Sequence, residues 1–469
     1  MYNLAGIMTE TGRATMHVHI LGIGGTFMGG LAAIAKAAGF RVTGSDLNVY
    51  PPMSTQLETL GIEFTEGYAA DQLDLNPDIV VVGNALSRGV PVVEAMLDRG
   101  MAYTSGPQWL AEHVLRERHV IAVTGTHGKT TTTAMLTWIL QHAGLEPGFL
   151  IGGVPGNFDG SARFGKAPYF VIEADEYDTA FFDKRAKFVH YRPRTVILNN
   201  LEYDHADIYP DVASIRRQFN QLLRSVPASG RLIVNAHDAE LKTTLEMGCW
   251  TPREGFAIGG GADWSAHIRP GVSGRFTVSV QNRPVGEVAW DLLGEHNVLN
   301  ALAAVAAARR AGVAPEQALQ ALREFRGVKR RMEIRGVIGE VTVYDDFAHH
   351  PTAIDTTLRG LRARVGNARI IAVVEPRSNT MKMGVHRDHL APSLAAADLA
   401  WFFRPADLGW DLEGAVASMG ERARFADSVD SLVQGLTEAS RPGDHILVMS
   451  NGGFGGLHDK LLAALRARC

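Results

Sequence analysis

Short apolar runs, each closed by glycine or a polar residue and followed by a helix-compatible stretch, recur along the chain. The run from Met16 to Gly22 predicts a strand, Gly29–Ala38 a helix, and Phe40–Gly44 a second strand ending at Ser45-Asp46; Ile79–Gly83 predicts another strand. Strands alternating with helices build an open α/β sheet, here to about residue 117. The rhythm restarts at His119–Thr124, with strands predicted at Tyr169–Ala174, Thr195–Asn199 and Arg231–Asn235. Residues 254–293 alternate apolar and polar positions between turn residues, which predicts a small antiparallel patch. Helices are predicted at about 296–311 and 315–324. A third set of strands falls near Val341–Asp345, Arg369–Val374 and His445–Met449, after a boundary near Gly327. The expected organisation is α/β throughout, in three domains: 1–117, 118–326 and 327–469.

Composition narrows the classes. The 469 residues suit about three domains of ~150 each. A net charge of −4 gives no global basic field to recruit nucleic acid, so phosphate binding must be local. Cys249 and Cys469 are too few for a disulfide framework, which fits a reducing compartment. No apolar run approaches the ~20 residues that span a bilayer; Leu302–Ala308 is short and followed by Arg309 and Arg310. A soluble cytoplasmic protein is expected.

The strongest local motif is Thr124-Gly125-Thr126-His127-Gly128-Lys129-Thr130-Thr131, between a predicted strand and a predicted helix. Glycines let backbone N–H groups approach phosphate oxygens, and the helix N-terminus adds partial positive charge. Lys129 reaches the β- and γ-phosphates, and the Thr130 hydroxyl suits Mg²⁺. The strict P-loop pattern fails at its first glycine, where Val123 stands. Glu173-Ala174-Asp175-Glu176 ends an apolar strand, where acidic side chains face the ligand crevice of an α/β sheet. A carboxylate there completes a Mg²⁺ site with Thr130. Asn199 through His205 ends the next strand in the same way, and a lone His205 would be unremarkable without its neighbours. Asn297 and Asn300 share one helix face and suit a purine edge or a phosphate, or simply cap the helix. At the N-terminus, Gly22, Gly24 and Gly25 begin like a dinucleotide fingerprint, but Phe27 replaces its last glycine. With Ser45 and Asp46 this weak signal fits a nucleotide or a nucleotide-sugar and does not select NAD. Lys329-Arg330-Arg331 precedes Asp345-Asp346-Phe347-Ala348-His349-His350-Pro351-Thr352, offering cations for a transferring phosphoryl group.

Together, in this order, these segments resemble the Mur ligase family along essentially the whole chain. The resemblance implies a Rossmann-like N-terminal domain holding a UDP-sugar, a P-loop ATPase-like central domain holding ATP and Mg²⁺, and a Rossmann-like C-terminal domain holding the incoming amine. It implies that Gly125, Thr126, His127, Gly128, Lys129, Thr130 and Thr131 cradle phosphates, and that Thr130 and Glu173 bind one Mg²⁺. By the same match His205 serves a second metal, Asn297 and Asn300 meet adenine and phosphate, Arg331 meets phosphate and Asp346 meets the ribose. His349 or His205 would help orient or deprotonate the amine. Gly22, Gly24, Gly25, Ser45 and Asp46 would meet the UDP-sugar. Within the family, residues 25–30, Asn48–Thr55, Glu375–Lys382 and Ser450–Gly456 are similar to the branch that joins UDP-N-acetylmuramate to L-alanyl-γ-D-glutamyl-meso-diaminopimelate in peptidoglycan recycling, with Glu375, Arg377 and Ser378 expected to face that acceptor. The nearest alternative is the branch that adds free L-alanine; one of another class is a non-catalytic nucleotide-binding regulator, which would need neither Glu173, His205 nor Arg331. Several family members carry a carbamylated lysine soon after the Asp-His pair. Residues 206–230 hold no lysine, only Arg216, Arg217 and Arg224.

Overall fold

The computed structural model describes residues 15–49, 53–269 and 274–468. Tyr50, Pro51, Pro52 and Cys469 lie outside them. The chain forms two compact units. One comprises residues up to Glu117 with 162–165 and 178–185; the other comprises 118–161, 166–177 and everything from Ala186 onward.

The first unit is a five-stranded parallel sheet in the order Glu63–Glu66, Arg41–Asp46, His17–Leu21, Ile79–Val82, Tyr103–Ser105. The central strand His17–Leu21 is buried along its length, as a strand covered on both faces must be. Its two histidines are tolerated because each is bonded: Thr43 Oγ1 lies 2.8 Å from both His17 Nε2 and His19 Nδ1, and Gln72 Oε1 lies 3.0 Å from His19 Nε2. The helix Thr26–Ala37 follows the glycine turn and buries Met28, Leu31, Ile34 and Ala35.

The second unit holds two sheets. The larger runs Arg283–Ala289, Arg275–Val280, Trp264–Ile268, Arg253–Ile258, Arg231–Asn235, Thr195–Leu198, His119–Thr124, Tyr169–Glu173, Gly148–Leu150. Its strands are parallel except the last hairpins, where Trp264–Ile268, Arg275–Val280 and Arg283–Ala289 pair antiparallel. The expected antiparallel patch at 254–293 is therefore only partly so: Arg253–Ile258 and Trp264–Ile268 continue the parallel sheet. Alternation marks a half-covered strand but carries no direction. Lys129–His142 and Glu295–Arg310 pack together on this sheet. Ala301 through Ala308 are all buried; the six alanines among them let this helix run close to the one behind the glycine loop.

The smaller sheet runs Glu333–Ile338, Val341–Asp346, His445–Met449, Ile370–Val374, Leu399–Phe403, Ala423–Ala426, parallel except at its first pair. Separate apolar clusters cover its two faces, one around Ile354, Leu358 and Phe402, the other around Leu432, Leu457 and Leu461. Among the described residues no helix is long and apolar enough to cross a membrane.

Candidate active site

The loop after His119–Thr124 turns at Gly125 (φ 140°) and Gly128 (φ 78°) before the helix Lys129–His142 begins. Both glycines are required by space as well as by conformation. A Cβ on Gly125 would lie 2.9 Å from the Asn199 Cβ, and one on Gly128 would lie 2.4 Å from Asn300 Oδ1. Asn300 is buried there. Its Oδ1 accepts from the Thr132 hydroxyl at 3.0 Å, and its Nδ2 donates to Asn297 Oδ1 at 3.3 Å. Asn297 donates in turn to the Leu293 carbonyl at 2.7 Å. Asn200 brackets the loop from the other side, accepting from His127 N at 2.7 Å and donating to His127 O at 3.2 Å. Val123, which breaks the strict P-loop pattern, is a fully buried strand residue.

Behind the loop lies an acidic cluster. The Thr130 hydroxyl donates to Glu173 at 2.8 Å, and Gly152 N donates to the other Glu173 oxygen at 2.6 Å. Burial, reinforced by Asp175, raises the Glu173 carboxyl above its usual range. A carboxyl so placed, beside a hydroxyl and short of positive charge, suits a hard cation. Lys129 donates to the Gly125 carbonyl at 2.7 Å and to Glu176 at 2.8 Å. His205 Nε2 lies 3.2 Å from the other Glu176 oxygen. Burial works against ionised Glu176, but Lys129 and His205 outweigh it and hold the carboxyl down at about 2. Conversely, burial works against the charged forms of Lys129 and His205, and Glu176 leaves both raised. Glu176 thus links the loop lysine to His205, a role that spacing alone did not assign. Its only signal was its place after Glu173 in the same strand-end motif. Thr130, Glu173, Lys129 and His205 are brought together through these contacts, with His205 reaching Glu176 and not Glu173 directly.

The C-terminal sheet adds Arg331, whose Nη2 donates to Thr130 Oγ1 at 3.2 Å and whose guanidinium stacks 4.8 Å from the Phe347 ring. Asp346 holds this segment in place, accepting from Met332 N and Ala348 N, each at 2.8 Å. Such fastening matters because Arg330 and Met332 both have positive φ (60° and 54°). His349 is turned to its own backbone, with Nδ1 2.9 Å from the Phe347 carbonyl, and burial lowers its pKa. Farther along, Glu375 accepts from the Ser450 hydroxyl, and Ser378 caps a short helix by accepting from Met381 N at 3.3 Å. Arg377 is exposed and lies against Gly452, where a Cβ would come within 2.1 Å of its Nη1. Among the described residues Glu375 and Arg377 do not pair with each other. Contacts that went unforeseen join the next two residues to the His205 loop: Thr380 Oγ1 donates to Asp204 at 2.8 Å, and Asn379 Nδ2 donates to Asp207 at 2.6 Å.

In the first unit, Gly22 N donates to Ser45 O at 2.8 Å and Gly24 N to Asp46 Oδ2 at 2.9 Å. The Tyr68 hydroxyl donates to Asp46 Oδ1 at 3.2 Å. Ser45 Oγ is buried without a hydrogen-bond partner among the described residues. Gly22, Gly24, Gly25, Ser45 and Asp46 thus line one end of the sheet, around the glycine turn.

A phosphate-type loop backed by buried carboxylates and met by an arginine from a second α/β domain defines an enzyme that handles a nucleoside triphosphate. Family models described as the Mur ligase family catalytic domain, the Mur ligase middle domain and the Mur ligase glutamate ligase domain match residues 17–118, 123–308 and 330–452. The chain is 56% identical over 451 residues, 96% of its length and 98% of the relative's, to the UDP-N-acetylmuramate–L-alanyl-γ-D-glutamyl-meso-2,6-diaminoheptandioate ligase of Escherichia coli (strain K12). It superposes on a murein peptide ligase from Psychrobacter arcticus with a TM-score of 0.76 at 48% identity, over 96% of this chain and 99% of the other. For a UDP-N-acetylmuramate-alanine ligase from Thermotoga maritima the TM-score is 0.81 at 25% identity, over 97% and 100% of the two chains. The chain belongs to the Mur ligase family and has its three-domain α/β architecture.

Proposed function

We propose that this chain uses ATP to form the amide between the lactyl carboxylate of UDP-N-acetylmuramate and the α-amine of L-alanyl-γ-D-glutamyl-meso-diaminopimelate, in peptidoglycan recycling. The observation that carries the reading is 56% identity across nearly the full length of both chains to a ligase named for these substrates. In this reading residues 1–117 hold the UDP-sugar, 118–326 hold ATP and Mg²⁺, and 327–469 hold the acceptor.

A carboxylate does not acylate an amine at neutral pH because its leaving group is too poor. Transfer of the γ-phosphoryl group from ATP to the carboxylate gives an acyl phosphate and ADP. The amine then attacks the acyl carbon, and the tetrahedral oxyanion collapses to the amide and inorganic phosphate. Both reactants of the first step are anions. Thr130 and Glu173 would hold one Mg²⁺ and His205 a second, and these ions would supply positive charge between the two anions. Lys129, released from Glu176 toward the triphosphate, and Arg331, beside Thr130, stabilise charge on the transferring group. Backbone N–H groups from Gly125 to Thr131 cradle the phosphates. Asn297 and Asn300 serve the nucleotide, Asn300 by filling the space under Gly128 and so shaping the loop. Asp346 lies at the ribose and orders Arg331. Arg377, whose guanidinium has no hydrogen-bond or ion-pair partner among the described residues, receives an acceptor carboxylate.

The test is a product assay by mass spectrometry with UDP-N-acetylmuramate, ATP and a panel of amines. The tripeptide amide should form with one ADP per bond. Equal or better use of free L-alanine would reassign the chain to the alanine-adding branch. ATP binding without any amide would leave a nucleotide-binding regulator.

A further inference from the structure

Among the described residues, one group of three potential metal ligands brings its ligand atoms within 4.8 Å of one another: His127, Glu202 and His350. It shares no residue with Thr130, Glu173 and His205. His127 Nε2 lies 3.3 Å from Glu202 Oε2, and His350 Nδ1 lies 3.5 Å from the same oxygen. Ligands at ~2.0–2.1 Å from a tetrahedral Zn²⁺ stand roughly 3.3 Å from one another. The two separations to the Glu202 oxygen match that spacing, and the third, between the two imidazoles, is within 4.8 Å.

The hydrogen bonding around the group points the same way. His350 Nε2 faces the Tyr203 carbonyl at 3.3 Å, which only an N–H can satisfy. In the neutral ring that leaves Nδ1 as a lone pair. This lone pair receives only a long contact from Thr352 N, at 3.3 Å, and otherwise looks at the Glu202 carboxylate. Two acceptors therefore face each other with no proton between them. A backbone carbonyl that fixes the tautomer of a ligating histidine is the usual outer partner of such sites. Glu202 has one too, since the Thr352 hydroxyl donates to it at 2.7 Å. His127 is 22% and Glu202 35% exposed, so an ion and a fourth, water ligand have a way in.

We propose that His127, Glu202 and His350 form a site for a borderline divalent transition metal, Zn²⁺ by its chemistry, distinct from the Mg²⁺ positions of the ligase reaction. Two imidazoles select Zn²⁺ or Co²⁺ over Mg²⁺, which prefers oxygen ligands. His127 belongs to the phosphate loop, and His350 starts the helix Pro351–Val365 of the C-terminal domain. The ion ties these two elements together and slows turnover by restraining the loop.

The experiment uses the full chain with Mg²⁺ in excess. Zn²⁺ is titrated in competition with a chromogenic indicator, and Co²⁺ is followed by its visible absorption. The wild type should take up one Zn²⁺ that Mg²⁺ does not displace, with a tetrahedral Co²⁺ spectrum and inhibition reversed by a chelator. His350→Gln, which keeps a donor for Tyr203, and Glu202→Gln, which keeps the Thr352 contact, should each weaken uptake by more than about 100-fold, beyond what loss of an outer partner costs. Their melting curves identify a variant that fails to fold. His205→Ala should retain the ion. No uptake by the wild type, uptake by both Gln variants equal to the wild type's, or loss only in His205→Ala would overturn the site. None of these outcomes bears on the ligase reading.

Discussion

The Lys129 ammonium lies 2.8 Å from Glu176 Oε2, with the two side chains only 11% and 2% exposed. A phosphate-loop lysine is thus held by a buried carboxylate. Removing one partner of a buried pair leaves the other uncompensated, at a cost of about 3 kcal/mol or more. Lys129→Ala should therefore lower both the melting temperature and, by at least about 100-fold, the turnover. Lys129→Ala with Glu176→Gln should recover much of the stability and none of the turnover. Thermal unfolding and steady-state kinetics on the pair of variants separate the two effects. Near-normal turnover in Lys129→Ala would remove Lys129 from the reaction.

His296, at the start of the helix Glu295–Arg310, should make stability depend on pH. Among the described residues its Nδ1 is shut off from solvent without a partner, and its pKa is pushed down to about 4 by burial and then by His127, Arg331 and Arg359. The folded value lies below the ordinary 6.5, so the unfolded chain takes up the proton first. Stability is present above about pH 6.5 and is lost as pH falls toward about 4, by a few kcal/mol at most. Urea unfolding from about pH 7 to about pH 4.5 should show that loss in the wild type and a flatter profile in His296→Gln. Parallel profiles would show that His296 is protonated in the fold.

The strands bearing these residues were legible because buried parallel strands are continuous apolar runs, and His119–Thr124 and Arg231–Asn235 stand where the pattern puts them. Direction was not legible at Arg253–Ile258, since alternation is the same in either orientation. The loop glycines could be read as phosphate-facing, but not as the space for Asn300, which lies far away in sequence. In the same way Glu176 looked like one more acid in a run. Only the fold shows that it joins Lys129 to His205. Contacts such as Thr380 with Asp204 pair residues from different domains, and no local pattern encodes them.

Arg377 provides the sharpest test of acceptor choice. An exposed guanidinium without a hydrogen-bond or ion-pair partner among the described residues can meet a carboxylate of the tripeptide that free L-alanine does not have. Arg377→Ala should lower kcat/KM for the tripeptide by about 10- to 100-fold, the worth of a charge-assisted pair of ~1.5–3 kcal/mol, and leave the low rate with L-alanine nearly unchanged. An equal loss for both acceptors would place Arg377 at the shared amine end.

Carbon dioxide should have no part in this enzyme's metal chemistry through the segment after His205. Carbamate formation needs a free amine, and residues 206–230 offer only guanidinium groups. Arg216 pairs with Glu240 at 2.9 Å, Arg217 donates to Ser214 at 2.6 Å, and Arg224 donates to Asn220 at 2.9 Å. Turnover should be the same in bicarbonate-free and bicarbonate-supplemented buffer, and carbon-13 NMR with labelled bicarbonate should show no carbamate signal from the protein.

The hydrogen bonds from Asn379 and Thr380 to Asp207 and Asp204 bear on how such an enzyme acquires a new acceptor. Asn379 and Thr380, separated from Arg377 by Ser378 alone, are the ones that grip the loop carrying His205. A segment exchanged between relatives to change the amine would carry these anchors with it, and a poorly matched graft would loosen the phosphoryl-transfer machinery along with the pocket. Under the proposed function, acceptor choice and chemistry are mechanically tied in this chain, and sequence drift at 375–378 is bounded by the two anchoring residues that follow Ser378.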